Sequence, residues 1–78
     1  MKTYWIKNDD MGESIATFKS KEPHVWEYSL EVQQVTVKRE TIVGALTKES
    51  IERRLAVQGF VPAQKVHYMG GGWRVQPL

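Results

Sequence analysis

Two segments near the start of the chain, residues 3–7 and residues 14–20, can be divided into two sets of alternating positions. Alternation with a period of two is typical of β-strands, because successive side chains point to opposite faces of a sheet. The first segment has apolar residues in both phases, whereas the second places Ala16 and Phe18 on one face. Residues 8–12 between them are rich in Asn, Asp and Gly, which favour turns. We therefore predict a hairpin whose two strands are joined by a loose polar loop.

The clearest strand follows Pro23. Its apolar residues fall on every second position and share one face: Trp26, Tyr28, Leu30 and Val32. At Gln33 and Gln34 the phase shifts by one residue. Such a shift favours a β-bulge or a short turn. We predict one long, bulged or bent strand, which residues 41–43 either extend or follow as a new strand.

Residues 48–58 are predicted to form a single helix. Thr47 suits the N-cap, because its hydroxyl can accept a hydrogen bond from a free amide of the first turn. Gly59 stands where a left-handed residue commonly ends a helix. The apolar stripe of the helix is narrow and consists of Ile51, Leu55 and either Val57 or Gln58. A stripe of this width is expected to cover one side of a sheet.

The last part of the chain is predicted to form a second hairpin. Pro62 is expected to end the helical unit, and residues 65–68 alternate like a strand. Three glycines then indicate a turn before residues 73–75 return, which is either mobile, the commoner case, or required for a close approach of the backbone. Residues 76–78 are expected to fray. The chain is therefore predicted to be one α+β domain over residues 1–78, an antiparallel sheet of about four or five strands with one α-helix packed on one face.

Length and composition limit the classes of protein that are possible. A chain of 78 residues allows one domain, and without cysteine it can form neither a disulfide nor a cysteine-based zinc site. Its apolar runs are too short to span a bilayer, and its first residues lack the apolar region of a signal peptide. We therefore expect a cytoplasmic protein without a membrane partner. On size alone, we expect such a chain among phage- or plasmid-type accessory proteins.

The net charge of +2 is unevenly distributed. Up to residue 31 the chain has four basic and six acidic residues, and after it seven basic and three acidic residues. The two parts therefore carry formal charges of −2 and +4. A net charge this small does not indicate nucleic acid unless the basic residues cluster. They would do so if the helix and the C-terminal hairpin were neighbours, although ordinary solvated charge is the simpler interpretation.

Catalytic and metal-binding motifs are scarce. His24 and His67 are the only histidines, and they lack the spacing of metal ligands. If they met in space beside Asp9 or Asp10, they could form an acid–base or metal site, but a solvated turn is the simpler interpretation of these aspartates. The glycine run has neither the lysine nor the following helix of a phosphate-binding loop. We expect no enzyme, cofactor, metal or small-molecule substrate.

Aromatic residues make up 10% of the chain, more than one short helix can easily cover. Trp5 and Trp73 lie in segments of mixed phase, so each is either a core residue or an exposed anchor. The candidate interaction residues are these two tryptophans and six basic residues: Trp5, Trp73, Arg53, Arg54, Arg74, Lys38, Arg39 and Lys65.

Two functions are compatible with this pattern. The first is a small non-enzymatic interaction module that docks on a protein partner or on a second copy of itself, with the strand over residues 26–32 as an open edge for sheet extension. The second is a nucleic-acid-binding module that uses the basic helix and the C-terminal hairpin. An exposed Trp among basic residues would favour nucleic acid, and one among apolar residues would favour a protein interface.

Overall fold

The computed structural model describes residues 2–44 and 46–78, which form six strands and one helix. These elements are β1 (Thr3–Asp9), β2 (Gly12–Glu22), β3 (Val25–Val32), β4 (Val35–Val43), α1 (Lys48–Val57), β5 (Val61–Tyr68) and β6 (Gly72–Pro77). All neighbouring strands are antiparallel, in the order β4-β3-β2-β1-β5-β6. The predicted α+β architecture is confirmed. The sheet curls into a half-barrel and has six strands instead of four or five.

The first hairpin closes more tightly than expected. β1 and β2 are joined by Asp10 and Met11 alone, so the loose polar loop is wrong. The Asp9 carboxylate accepts a hydrogen bond from the Met11 amide at 2.8 Å. This bond satisfies a turn amide locally and lets a short connection replace a longer loop. Asp9 also forms an ion pair with Lys7 at 3.6 Å, so both contacts of this carboxylate stabilise the hairpin.

Gln33 and Gln34 form a turn, and the long bulged strand predicted across them is wrong. Both residues have positive φ, 52° and 69°, a conformation that suits two-residue hairpin turns but is usually taken by Asn or Gly. The Gln33 side chain donates a hydrogen bond to the Met11 carbonyl at 2.7 Å. A bulge does occur, but within β4, where the register against β3 shifts between Leu30 and Glu31.

The helix matches its predicted bounds to within one residue. The Thr47 hydroxyl accepts a hydrogen bond from the Ser50 amide at 3.2 Å, as expected of an N-cap. Gly59 has φ +95°, and the Phe60 amide donates to the Leu55 carbonyl at 3.0 Å. These are the features of a Schellman motif, so the predicted C-terminal cap is also confirmed.

The core lies between α1 and one face of the sheet, which we call the helix face. Its buried residues come from β1, β2, the helix and the segment after it: Trp5, Ala16, Phe18, Ile51, Leu55 and Phe60. Trp26, Tyr28 and Leu30 on β3 pack against this cluster and share one face, as predicted. Val57 and Gln58 are exposed, so the buried stripe of the helix is limited to two residues. Ile6 is buried on the opposite face of β1.

The C-terminal segment is more ordered than expected. β5 begins at Val61 and includes Pro62, which was expected to precede the strand. Proline is tolerated near the start of a strand, where its missing amide need not take part in the ladder. β6 continues to Pro77, and the Leu78 amide donates to the Pro62 carbonyl at 3.1 Å, so residues 76–78 are paired with β5 where fraying was expected.

The strand order corrects one expectation about the surface. β3, which contains residues 26–32, lies between β2 and β4 and has no free edge. The edge strands are β4 and β6, because they end the order on either side. Over residues 2–44 and 46–78, no helix is long and apolar enough to cross a membrane.

Candidate interaction surface

The β5–β6 hairpin extends beyond the strand that holds it in the sheet. β1 pairs with β5 only through Val61, Pro62 and Ala63, whereas β5 and β6 remain paired from Ala63–Pro77 to Tyr68–Gly72. We call residues 64–76 the arm. In the described part of the chain, no strand pairs with the β1 side of the arm. The arm is thus a two-stranded ribbon attached to the sheet at its base.

Large apolar side chains are exposed on the arm. Trp73 is 61% exposed, Tyr68 52% and Met69 97%. Isolated apolar residues are common on protein surfaces, but large exposed aromatic side chains on a projecting element are typical of interaction sites. Trp73 and Tyr68 both lie near the turn that Met69 begins, but on opposite faces of the arm, because Trp73 is paired with His67 and Tyr68 with Gly72.

Trp73 contacts two nitrogen-bearing side chains of the neighbouring strand β5. The His67 ring is directly across the hairpin, with a centroid distance of 4.9 Å and an edge-to-face angle of 66°. The Lys65 ammonium lies 5.2 Å from the centroid of the Trp73 ring. Cation–π attraction is only about 0.5–1 kcal/mol at exposed sites, so these contacts orient the indole without burying it.

Gly72 allows Tyr68 to cross the hairpin. Tyr68 and Gly72 are directly paired, and a β-carbon at position 72 would lie 2.6 Å from the Tyr68 hydroxyl oxygen. Such a distance is too short for two non-bonded atoms, so any larger residue at position 72 would displace the ring. Of the three consecutive glycines, this one has a packing reason to be glycine.

The structure does not gather the predicted basic residues on one surface. Lys38 and Arg39 are adjacent on β4 and point to opposite faces, since Lys38 is paired with Leu30 on the helix face. Arg74 and Lys65 lie on opposite faces of the arm for the same reason. Because β4 is at one edge of the sheet and β5 and β6 are at the other, the two sets are separated by four to five strand spacings, about 19–24 Å along the sheet.

The helical arginines do not join the two sets into one basic surface. Arg53 and Arg54 are exposed, and Arg54 lies beside β4 in a groove with Lys38. The arrangement that would have favoured nucleic acid, a helix beside a basic hairpin, therefore receives no support from this geometry.

Trp5 cannot serve as a surface anchor. It is 7% exposed and belongs to the core, opposite Ala16 on β2 and Pro62 on β5. Its indole nitrogen is buried without a hydrogen-bond partner among the described residues. Of the two candidate tryptophans, only Trp73 is available to a partner. The mixed phase of both segments in the sequence did not distinguish them.

A groove between α1 and β4 was missed by the sequence analysis. It is a cavity of about 140 Å³, lined by Tyr28, Lys38, Glu40, Ile42, Leu46, Ile51, Arg54, Leu55 and Gln58. Burial of the Tyr28 hydroxyl raises its pKa above the usual value for tyrosine, and the nearby Glu40 carboxylate raises it further. The groove depends on which strand lies beside the helix, and no local sequence pattern specifies this.

A wider depression on the face opposite the helix contains both paired and unpaired charges. It has a volume of about 350 Å³ and includes Lys19, Glu27 and Arg39. Lys19 and Lys21 lie 3.5 Å and 3.7 Å from the Glu27 carboxylate, whereas no carboxylate of the described residues lies within ion-pair distance of Arg39. The ion pairs therefore balance only part of its charge.

The histidines do not form a catalytic or metal site with acidic residues. His24 occupies the β2–β3 turn with φ 66°, whereas His67 is on the arm against Trp73. In residues 2–44 and 46–78, no group of three or more His, Cys, Asp or Glu side chains is arranged to hold a metal ion. No protein-family model, curated protein or solved structure matches the chain. Proposals about its function therefore rest on its own geometry.

Proposed function

We propose that the protein is a small non-enzymatic interaction module that docks on a protein partner through its arm. The observation that carries this proposal is the exposure of Trp73, Tyr68 and Met69 on a ribbon that extends beyond the sheet. Trp and Tyr are the side chains that most often dominate binding energy at protein interfaces, because they bury a large apolar area at a low entropic cost.

The core does not depend on the arm, and this supports a binding role. The residues of the buried cluster lie on β1, β2, α1 and the segment after it, and none belongs to the arm. A domain this small has little apolar surface to spare for its own stability. Three large apolar groups kept outside the core are therefore better explained by contact with another molecule than by folding.

The charge of the arm indicates which surface it fits. The sequence contains no Asp or Glu after Glu52, and the arm carries Lys65 and Arg74. A matching partner surface has an apolar pocket for Trp73 with neutral or acidic residues around it, since opposite charges at the rim speed association and exclude wrong partners.

Site-specific photo-crosslinking in the cell of origin tests this proposal. A photoreactive amino acid at Met69 is expected to capture a defined protein species. The same group at Val57, which is 83% exposed on the helix, serves as the matched control and is expected not to capture it. Capture of the same species from both positions, or of none from Met69, would contradict docking through the arm.

Self-association is one form of this function and makes a separate prediction. The open edge for pairing two copies is β4 or β6, and β4 is the longer, with nine residues. Its bulge and its Lys38–Glu40 ion pair at 3.7 Å are features that commonly protect an edge from pairing. We therefore place the partner at the arm, and light scattering of the purified protein is expected to give the mass of a monomer.

A nucleic-acid-binding function is the second candidate, and the surroundings of Trp73 favour it. An exposed indole with Lys65 and His67 beside it could stack on the base of a single strand. The arm offers only two formal positive charges, however, which corresponds to a salt-dependence slope of about −1.4 for a single strand. That is weak electrostatic support, so protein docking is the better explanation.

An electrophoretic shift with single-stranded oligonucleotides at low salt tests this second candidate. Binding at micromolar protein that is lost in Lys65→Ala, Arg74→Ala and Trp73→Ala would favour nucleic acid. A loss in Arg53→Ala and Arg54→Ala instead would favour a contact through the helix. No shift at micromolar protein would remove the candidate.

A further inference from the structure

The groove between α1 and β4 has an apolar floor and a charged rim. Four aliphatic side chains form the floor: Ile42, Leu46, Ile51 and Leu55. Ile42 and Leu46 are only partly buried, so apolar surface remains open inside the groove. The Trp26 indole donates a hydrogen bond to the Leu46 carbonyl at 3.0 Å, which holds this side of the groove in place. Concave apolar sites with a few polar groups are typical of small-ligand sites.

The size of the groove limits its occupant to a compact group. Its volume is about 140 Å³. An apolar cavity of roughly 150 Å³ is sufficient for benzene, so the floor has room for about six carbon atoms. A drug-sized molecule or a helix of a partner protein would not fit into this space.

The rim has an excess of positive charge. Lys38 and Arg54 face one acidic group, Glu40, which lies 3.7 Å from Lys38. Among the described residues, no carboxylate lies within ion-pair distance of Arg54. Arg54 thus has a guanidinium free to bind a carboxylate, for which its planar arrangement of donors is well suited. The Tyr28 hydroxyl at the same rim can act as a donor, because a tyrosine is protonated at neutral pH.

We propose that this groove binds a small organic anion, a carboxylate with a compact apolar body of about six carbon atoms. The carboxylate pairs with Arg54 and the apolar body lies on Ile42, Leu46, Ile51 and Leu55. Sequence motifs indicate no small-molecule site in this chain. The site is separate from the arm and does not depend on the proposed docking function.

Amide chemical-shift titration of the purified protein with hexanoate tests this proposal. Hexanoate is expected to shift resonances of residues that line the groove, with a Kd on the order of 1 mM for so small a ligand. Hexan-1-ol has the apolar body without the charge, and acetate has the charge without the body. Both are expected to bind at least about tenfold more weakly, since each lacks one of the two contacts.

Two arginine variants make the test specific. Arg54→Gln is expected to weaken hexanoate binding by about tenfold, the typical effect of losing a charge-assisted hydrogen bond. Arg53→Gln is the matched control, because Arg53 is exposed on the same helix but does not line the groove, and it is expected to leave Kd within about twofold. Equal weakening by both variants, equal binding of hexan-1-ol, or no shifts in the groove at 20 mM hexanoate would overturn the proposal.

Discussion

Two glutamines in the β3–β4 turn have a backbone conformation that is energetically unfavourable for residues other than glycine. Gln33 and Gln34 both have positive φ, and this conformation is unfavourable by roughly 1–2 kcal/mol for most L-residues. At Gln33 this unfavourable energy is offset by the side-chain hydrogen bond to the Met11 carbonyl and by a backbone hydrogen bond from the Gln33 amide to the Glu13 carbonyl. Gln34 has no hydrogen bond of this kind among the described residues.

Replacing Gln34 with glycine is therefore expected to stabilise the protein. Gln34→Gly relieves the strain at φ 69° and removes no observed contact, so a gain of about 0.5–1 kcal/mol in the free energy of unfolding is expected. Urea denaturation followed by tryptophan fluorescence measures it. Gln33→Gly is the control, because it also loses the bond to Met11 and is expected to give a smaller gain or a loss.

The raised pKa of Tyr28 predicts how stability depends on alkaline pH. A tyrosine whose pKa is higher in the folded state resists ionisation there, so the unfolded state loses its proton first as pH rises. The contribution to stability is complete below the usual tyrosine pKa of about 10 and is lost as pH rises through the folded-state value. Denaturation midpoints are thus expected to fall less steeply in Tyr28→Phe as the pH rises above about 10.

A spectroscopic titration separates the two causes of this shift. The difference in phenolate absorbance between the wild type and Tyr28→Phe isolates the titration of Tyr28. Glu40→Gln removes the electrostatic cause but not the burial, so it is expected to lower this pKa without restoring the usual value. A Tyr28 titration at or below the ordinary tyrosine value would contradict the observed environment.

Among the elements, the helix was the best predicted because its signals are local. Thr47 and Gly59 act within one turn of the helix, so their side chains and backbone freedom are sufficient to define its ends. The buried stripe was overestimated at Val57, since a narrow stripe does not specify how far the sheet extends beneath it.

Two substitutions test which side chains of α1 are buried against the sheet and which are solvated. Ile51→Ala is expected to cost about 2–5 kcal/mol in the free energy of unfolding, because Ile51 is 6% exposed in the core. Val57→Ala is expected to change it by less than about 0.5 kcal/mol, since Val57 is largely solvated. Similar losses in both variants, measured by thermal or urea denaturation, would indicate that the helix packs differently.

The alternation predicts which residues of a strand share a face, but it does not predict which strands pair. Alternation correctly grouped Trp26, Tyr28, Leu30 and Val32, because a side-chain period of two is a local property. It could not specify that β5 pairs with β1, a contact between residues more than fifty positions apart. The edge strands, the groove beside α1 and the exposure of Trp73 all depend on that order. They were therefore outside what the pattern could predict.

In the whole molecule, the core and the proposed docking surface occupy separate elements. The buried cluster lies between α1 and the helix face, while the arm extends from the edge of a curled sheet. Changes in the arm are thus expected to affect binding without affecting folding. Trp73→Ala is expected to reduce the free energy of unfolding by less than about 1 kcal/mol, far below the 3–5 kcal/mol typical of a core aromatic residue.

The most direct test of the docking proposal is the yield of the product cross-linked from Met69 in a chain that carries Trp73→Ala. If Trp73 is the main anchor, losing it weakens binding by 1–2 kcal/mol or more, and the yield is expected to fall at least about fivefold. Lys38→Ala on the far edge serves as the control and is expected to leave the yield unchanged. An undiminished yield in Trp73→Ala, in a protein that remains folded, would contradict docking through the arm.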